Sequence, residues 1–428
     1  MKILIITPFI PYPLDSGGNQ AFFSMVNYLK DIHEISIIMP VNEWDKDNYL
    51  RLKGIWKNQV TLYPHDNSLF TKKEERYDSS LYLRFVTYLH ESTGRKIRRY
   101  IERRIQNIAS RPEKFRFHST LFNQLPKFPE GFMQFIYDTS RKEKFDCIQV
   151  EFYSHFPFRM LLPENVKTVF VQHEIQFVRL ANEMALFNKV TWKDRVLYER
   201  KKYEELAEMR SFDHIITLTE TDKEILSAYI PAEKISVSPA VILQMDDDTV
   251  FSRCSNEFAF VGGCSHLPNL DAVVWFCNNI IPVLREKKFN FRLYVVGSWK
   301  KKLVKAFTRR FPELVFTGFV KDIKTFLSGK ISIVPIRIGS GMRIKILEAI
   351  NSMSPFITTT KGVEGQDFRN GEECIVADTA EAFAESMISL YSDVALQEKL
   401  AMQAKDKIRK SYDNTALLQR RAEIYGKI

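Results

Sequence analysis

Short apolar segments recur along this chain in two separate series, each alternating with segments of helical periodicity. The first series comprises residues 3–6, 35–39, 147–150, 168–171 and 214–218. Such brief, continuously apolar runs suit strands covered on both faces. After the first run, Phe22, Met25, Val26 and Leu29 fall at the spacing of a helix with one buried side. Residues 191–210 are charged and free of proline, which predicts an exposed helix. The second series comprises 258–261, 291–296, 315–318, 331–335 and 356–359, with a helix predicted over 269–283. Strands alternating with helices imply α/β domains with parallel sheets and right-handed crossovers. A polar stretch containing Asp246, Asp247 and Asp248 separates the series. Two facing Rossmann-like domains, split near residue 245, are therefore expected. Open α/β sheets bind ligands beyond the carboxyl ends of their strands, so the cleft between the domains is the expected site.

The 428 residues suit two or three domains at roughly 150 residues each. A composition of 45% hydrophobic and 27% charged residues excludes a largely disordered chain. Five cysteines, with no CxxC and none near a histidine at ligand spacing, exclude a disulfide framework and argue for free thiols in a reducing cytoplasm. No apolar run is read as long enough to span a bilayer, and the first residues read as a buried strand. Residues 42–140 fit the rhythm poorly and are expected to form a basic insertion. Within it, residues 95–127 hold ten Lys or Arg against Glu102 and Glu113, which accounts for +8 of the net charge of +10. Ile97, Ile101, Ile105 and Ile108 make a helical stripe there, and Phe115, Phe117 and Phe122 follow. A basic amphipathic helix followed by aromatics suits an anionic membrane surface. A helix docked on the first domain with a solvated basic face explains the same residues.

The most informative stretch is 331–348, ISIVPIRIGSGMRIKILE. A buried strand leads into Gly339, Ser340 and Gly341, and a helix is predicted from about Met342. Glycines before a helix N-terminus let backbone N–H groups approach a phosphate, and the helix dipole favours negative charge there. Arg343 and Lys345 add cationic donors in the first turn. Glu348 lies three residues beyond Lys345, on the same helix face, where a carboxylate accepts hydrogen bonds from the vicinal hydroxyls of a ribose. Together these residues suit a nucleotide-diphosphate site. A helix start with ordinary surface charges is the plainer reading.

This stretch resembles the signature of retaining, family-4-type glycosyltransferases of the GT-B fold, which carry two glutamates separated by seven residues. Glu348 and Ala349 match the second half, while Ser340 stands where the first glutamate is usual. One bacterial surface-glycan branch, with a Gly-x-Gly-x-Arg-x-Lys-x-Leu-Glu-Ala pattern, is more similar. Gly339, Gly341, Arg343, Lys345, Leu347, Glu348 and Ala349 fit it. The resemblance implies Glu348 on the donor ribose, with Arg343, Lys345 and the N–H groups near Gly341 on the diphosphate. It implies a donor pocket lined by Gly262, Gly263, Gly297, Thr317, Gly318, Phe319, Gly339, Ser340 and Glu364. Relatives often place a lysine after the glycine-rich turn of the second domain, but residues 263–269 hold none. In the first domain, Gly17 and Gly18 match a glycine-rich loop near the diphosphate and sugar. His173 matches a histidine that reaches the transferred sugar. Glu151 and Glu174 are acceptor-side candidates.

The resemblance further implies an acceptor-side domain over 1–245 and a donor domain over 246–410. Residues 411–428 should form a helix that returns to the first domain. The implied reaction moves a sugar from a nucleotide-diphosphate sugar, UDP or GDP foremost, to an acceptor hydroxyl, with retention. No metal and no further cofactor are implied. The acceptor would be a glycan, a lipid-linked glycan or a protein, met in the cytoplasm or at the inner membrane face. A non-catalytic scaffold partner and a sugar-nucleotide epimerase are the alternatives on the same fold. Nucleic-acid binding is disfavoured, since the basic residues cluster away from the motifs.

Overall fold

The computed structural model describes residues 1–14, 17–66, 130–186, 190–241 and 249–428. The first sheet contains β1 (Lys2–Ile6), β2 (Glu34–Val41), β3 (Val60–Asp66), β4 (Cys147–Glu151), β5 (Lys167–Gln172), β6 (His214–Thr217) and β7 (Ile235–Val237). All seven are parallel, in the order β3-β2-β1-β4-β5-β6-β7. The second sheet contains β8 (Glu257–Val261), β9 (Arg292–Val296), β10 (Leu314–Gly318), β11 (Ile331–Val334), β12 (Phe356–Thr358) and β13 (Ile375–Val376). It is also parallel, ordered β10-β9-β8-β11-β12-β13. Each order reverses once, between β1 and β4 and between β8 and β11. Such reversals open the crevice in which doubly wound sheets bind ligands.

Alternation along β1 shows why these strands read as uniformly apolar. Ile3 and Ile5 pack beneath Phe22, Met25, Val26 and Leu29 of the helix Gly17–Leu29. Leu4 and Ile6 pack on the opposite face with Ile136, Ile148 and Phe158. A side chain pointing to either face meets a helical layer, so neither face tolerates polarity. The second domain has one core, built from Phe258, Phe260, Leu293, Val295, Ile331 and Ile333 with the helices around them.

Two features differ from the expectations. Residues 42–66 belong to the sheet, as the helix Lys46–Trp56 and edge strand β3. β3 escapes notice because it buries only Val60 fully and carries Pro64 and exposed polar groups, as an edge strand can. The basic segment 95–127 lies outside the described residues. The helix expected over 269–283 runs as Leu267–Trp275, a π-turn at Phe276–Ile280, and Ile281–Glu286. This 20-residue run is long and apolar enough to cross a bilayer by length and composition. Here Val273, Phe276, Ile280 and Leu284 lie in the second core, as in the core helix of a globular domain.

The final helix, Asn414–Lys427, leaves the second domain and packs on the first. Its Ile424 and Tyr425 are buried in the core formed by β1, β2 and the helix Gly17–Leu29.

Candidate active site

The loop after β11 brings the two domains together. Gly341 has φ +78°, and a Cβ there would lie 2.1 Å from the His173 carbonyl oxygen. Only glycine fits this backbone and this approach. The Ile175 N–H donates to Ser340 Oγ at 2.7 Å, and the Asp222 carboxylate accepts from the Gly341 N–H. Gly17, opening the first helix, meets Ile344 so closely that a Cβ would sit 2.3 Å from its side chain. Met342 and Ile344 pack against the cores of both domains. The carboxyl ends of β4 and β5 therefore face the loop after β11 and the start of the helix Ile344–Asn351.

On the second-domain side, Lys345 reaches over the Phe260 ring, 4.5 Å from its centroid, and donates to Asn269 Oδ1 at 2.5 Å. Asn269 in turn donates to the Gly263 carbonyl at 3.1 Å. Burial and the neighbouring Arg343 bring the Lys345 ammonium down to about 7. Glu348, one turn further, is half-buried, and its carboxylate makes no hydrogen bond to a described residue. Burial lifts its carboxyl to about 7, against the pull of Lys345. A cation and an unpartnered carboxylate thus share one helix face at the β8/β11 reversal.

The loops after β8, β9 and β10 are joined by backbone. The Gly297 N–H donates to the Gly318 carbonyl at 2.9 Å, and Trp299 Nε1 donates to the Gly262 carbonyl at 2.9 Å. Gly263 and Gly297 lie in this contact, and the Thr317 hydroxyl donates to the Gly318 carbonyl at 3.0 Å. Phe319 just beyond is 56% exposed, a free aromatic face at this edge.

Arg343 is buried and turned back on its own loop. It donates to the Ser340 carbonyl and, at 2.8 Å, to the Gly341 carbonyl. Its Nε and Nη2 are buried without a partner, close to Glu174, Glu364 and Asp222. Glu174, expected on the acceptor side, is instead held by Arg179 at 2.7 Å, with His266 of the second domain 3.7 Å away. Burial would raise its carboxyl, but Arg179, His266 and Arg343 outweigh it and hold it near 2. Glu364, expected at the donor, accepts from Lys361 at 2.6 and 2.8 Å. The neighbouring Gly365 packs on Thr219 of the first domain.

His173 stands at the carboxyl end of β5, stacked on Phe152 with ring centroids 3.8 Å apart, and its Nε2 lies 2.5 Å from Glu151 Oε2. Phe152 has φ +67°, rare for an aromatic residue, and this turn after β4 brings the ring beneath the imidazole. Glu151, also expected on the acceptor side, is only 1% exposed, so it faces His173 rather than the open cleft. Gly18 lies in the first turn of the helix Gly17–Leu29.

Several residues of the site carry no motif. Glu205, from the helix Trp192–Arg210, accepts from the Gln176 and Phe177 N–H groups at 2.8 Å each. It thereby fixes the turn that carries His173 and Glu174. Burial lifts its carboxyl to about 7, although those N–H groups oppose the rise. Asp222 and Arg179 likewise become visible only through tertiary contacts. Among the described residues, no group of three or more His, Cys, Asp or Glu side chains is placed to hold a metal ion.

Two Rossmann-ordered sheets facing across their reversals define a GT-B fold. Residues 255–393 match the family model described as glycosyl transferases group 1. Among solved structures, TarM of S. aureus, in a variant bound to fondaparinux, α-GlcNAc-glycerol and UDP, superposes with a TM-score of 0.65 at 10% identity. That match covers 99% of this chain and all of the other. Anabaena HepE in complex with UDP-glucose gives 0.62 at 12% identity, covering both chains fully. WaaG, a glycosyltransferase involved in lipopolysaccharide biosynthesis, gives 0.61 at 12%, covering 99% of each. By sequence, an uncharacterized 44.6 kDa protein in the cps region of Klebsiella pneumoniae is 23% identical over 245 residues. The match spans 54% of this chain and 61% of that protein.

Proposed function

We propose that this protein transfers a sugar from a nucleotide-diphosphate sugar to an acceptor hydroxyl during assembly of a glycan or polysaccharide. The observation that carries this reading is Lys345 and Glu348 on one helix face at the β8/β11 reversal, in the segment whose Gly341 meets the His173 carbonyl across the domain contact. In this reading Glu348 accepts from the ribose hydroxyls, Lys345 holds the diphosphate, and Phe319 with the loops at Gly297 and Thr317 flanks the base. Arg343 supplies its two unpartnered donors to the leaving diphosphate when the loop moves off Glu174 and Asp222. Fixed cationic and N–H donors stabilise charge as it develops on a leaving group, the role a metal plays elsewhere. His173 contacts the transferred sugar, and domain closure excludes water.

The finer parts of the proposal are a hexosyl donor on UDP or GDP, retention at the anomeric carbon, and turnover without a metal. They also include a glycan, lipid-linked or protein acceptor met in the cytoplasm or at the inner membrane face. The resemblance of the 339–349 motif supports retention. The known UDP complexes of structural neighbours support a UDP donor first. A panel of UDP-, GDP-, ADP- and TDP-sugars, assayed for nucleotide release with and without acceptor glycans, tests the reading. Acceptor-dependent release is expected. Conversion of the sugar nucleotide without acceptor would point to an epimerase, and binding without any conversion to a scaffold.

A further inference from the structure

We propose that Gln149, Glu151 and Tyr425 form a buried positioning relay that fixes the tautomer of His173 and ties it to the C-terminal helix. The chain of contacts is continuous. Tyr425 Oη donates to Gln149 Oε1, Gln149 Nε2 donates to Glu151 Oε1 at 2.5 Å, and His173 Nε2 meets Glu151 Oε2 at 2.5 Å. Gln149 and Glu151 alternate along β4, so both side chains leave the same face of the strand. Gln149, Glu151 and Tyr425 are each at most 1% exposed, whereas the His173 side chain is 25% exposed. The relay thus runs from the core to the cleft.

Its direction follows from chemistry. Each Glu151 oxygen meets a nitrogen, Gln149 Nε2 at one side and His173 Nε2 at the other, and a carboxylate oxygen accepts. That orients the Gln149 amide with its nitrogen toward Glu151 and its oxygen toward Tyr425. The Tyr425 hydroxyl keeps its proton, because burial pushes its pKa well up. At the other end, Nε2 of His173 carries the proton and Nδ1 is left as an acceptor, making no hydrogen bond to a described residue. Stacking on Phe152 fixes the ring plane, and Glu151 fixes which nitrogen donates. His173 therefore offers an acceptor nitrogen toward a substrate hydroxyl. That last role rests on the glycosyltransferase reading, and the relay itself does not.

The test is long-range proton–nitrogen NMR on the full chain labelled at histidine, with His173→Gln assigning the signal. At pH 8 the wild type should show His173 in the Nε2–H form. Glu151→Gln should abolish that bias, since an amide can present either atom, and Tyr425→Phe should weaken it. An Nδ1–H form in the wild type would overturn the proposal. So would a tautomer unchanged in both variants. The wild-type spectrum needs no variant, so a misfolded one leaves the question decidable. In turnover, Glu151→Gln should lower kcat roughly tenfold or more, the worth of one charge-assisted hydrogen bond, with the KM for the nucleotide sugar little changed. Absence of any turnover would refute the proposed function while the tautomer result stands.

Discussion

Glu348→Gln should move stability and nucleotide binding in opposite directions. The carboxyl is lifted from its ordinary 4.5 to about 7 by burial, so its ionised form is disfavoured in the folded protein. At about 1.4 kcal/mol per tenfold, full expression of that shift costs roughly 3 kcal/mol above pH 7. Glu348 is half-buried, so solvent screening leaves about 1–2 kcal/mol. The sign follows from linkage. Between 4.5 and 7 the folded state binds more protons than the unfolded one, so the penalty is absent at acid pH and complete above 7. Glutamine cannot ionise, so it removes the penalty where the penalty exists. Native-state hydrogen exchange over β8 and β11 reads the second domain by itself. Exchange there should slow roughly five- to thirtyfold in the variant at pH 8, the equivalent of 1–2 kcal/mol, and match the wild type near pH 4.5. Nucleotide affinity should fall roughly tenfold in the same variant, because a neutral amide is a weaker acceptor for ribose hydroxyls. Faster exchange at pH 8, or a gain equal at both pH values, would refute the reasoning.

The remaining predictions concern the neighbouring residues. Lys345 has its ammonium brought down to about 7, so it is charged below that pH and neutral above it. Calorimetry should show nucleoside-diphosphate affinity falling by up to about tenfold per pH unit above 7, and Lys345→Ala should be weaker at pH 6.5 and nearly flat with pH. Gly341→Ala forces a side chain into φ +78° against the His173 carbonyl, so small-angle scattering should show a larger radius of gyration, with turnover lost. Glu205→Ala strands the Gln176 and Phe177 N–H groups, at about 1–3 kcal/mol each, which denaturant unfolding of the first domain would detect.

The strand framework was legible because β1, β4, β5, β8 and β11 are buried on both faces and so are rich in apolar residues, with the few polar ones, such as Gln149 and Glu151 of β4, buried and hydrogen-bonded. β3, β7 and β13 were missed for the converse reason. They are edge strands or very short ones, with partial burial and few apolar side chains. Lys345 and Glu348 could be singled out because helical spacing places them on one face, and that spacing is local. The surroundings of Glu151 and Glu174 were not local, since Glu151 meets His173 on the next strand and Glu174 lies near His266 of the second domain, whereas Glu364 and Arg343 bond close in sequence, to Lys361 and to the Ser340 and Gly341 carbonyls. A carboxylate that reads as a ligand in sequence also meets partners that only the fold reveals, as Glu174 meets His266 of the second domain. Tyr425 shows the opposite case, a residue without a motif that reaches the site only because the last helix crosses back to β4.

Calorimetric titration of UDP, GDP, ADP and TDP into the wild type, Lys345→Ala and Glu348→Ala tests the donor site most directly. At pH 6.5, one nucleotide should bind the wild type at a single site per chain, and each substitution should weaken it at least tenfold. Equal binding by all three proteins, or none by the wild type, would contradict a nucleotide-sugar site at the β8/β11 reversal.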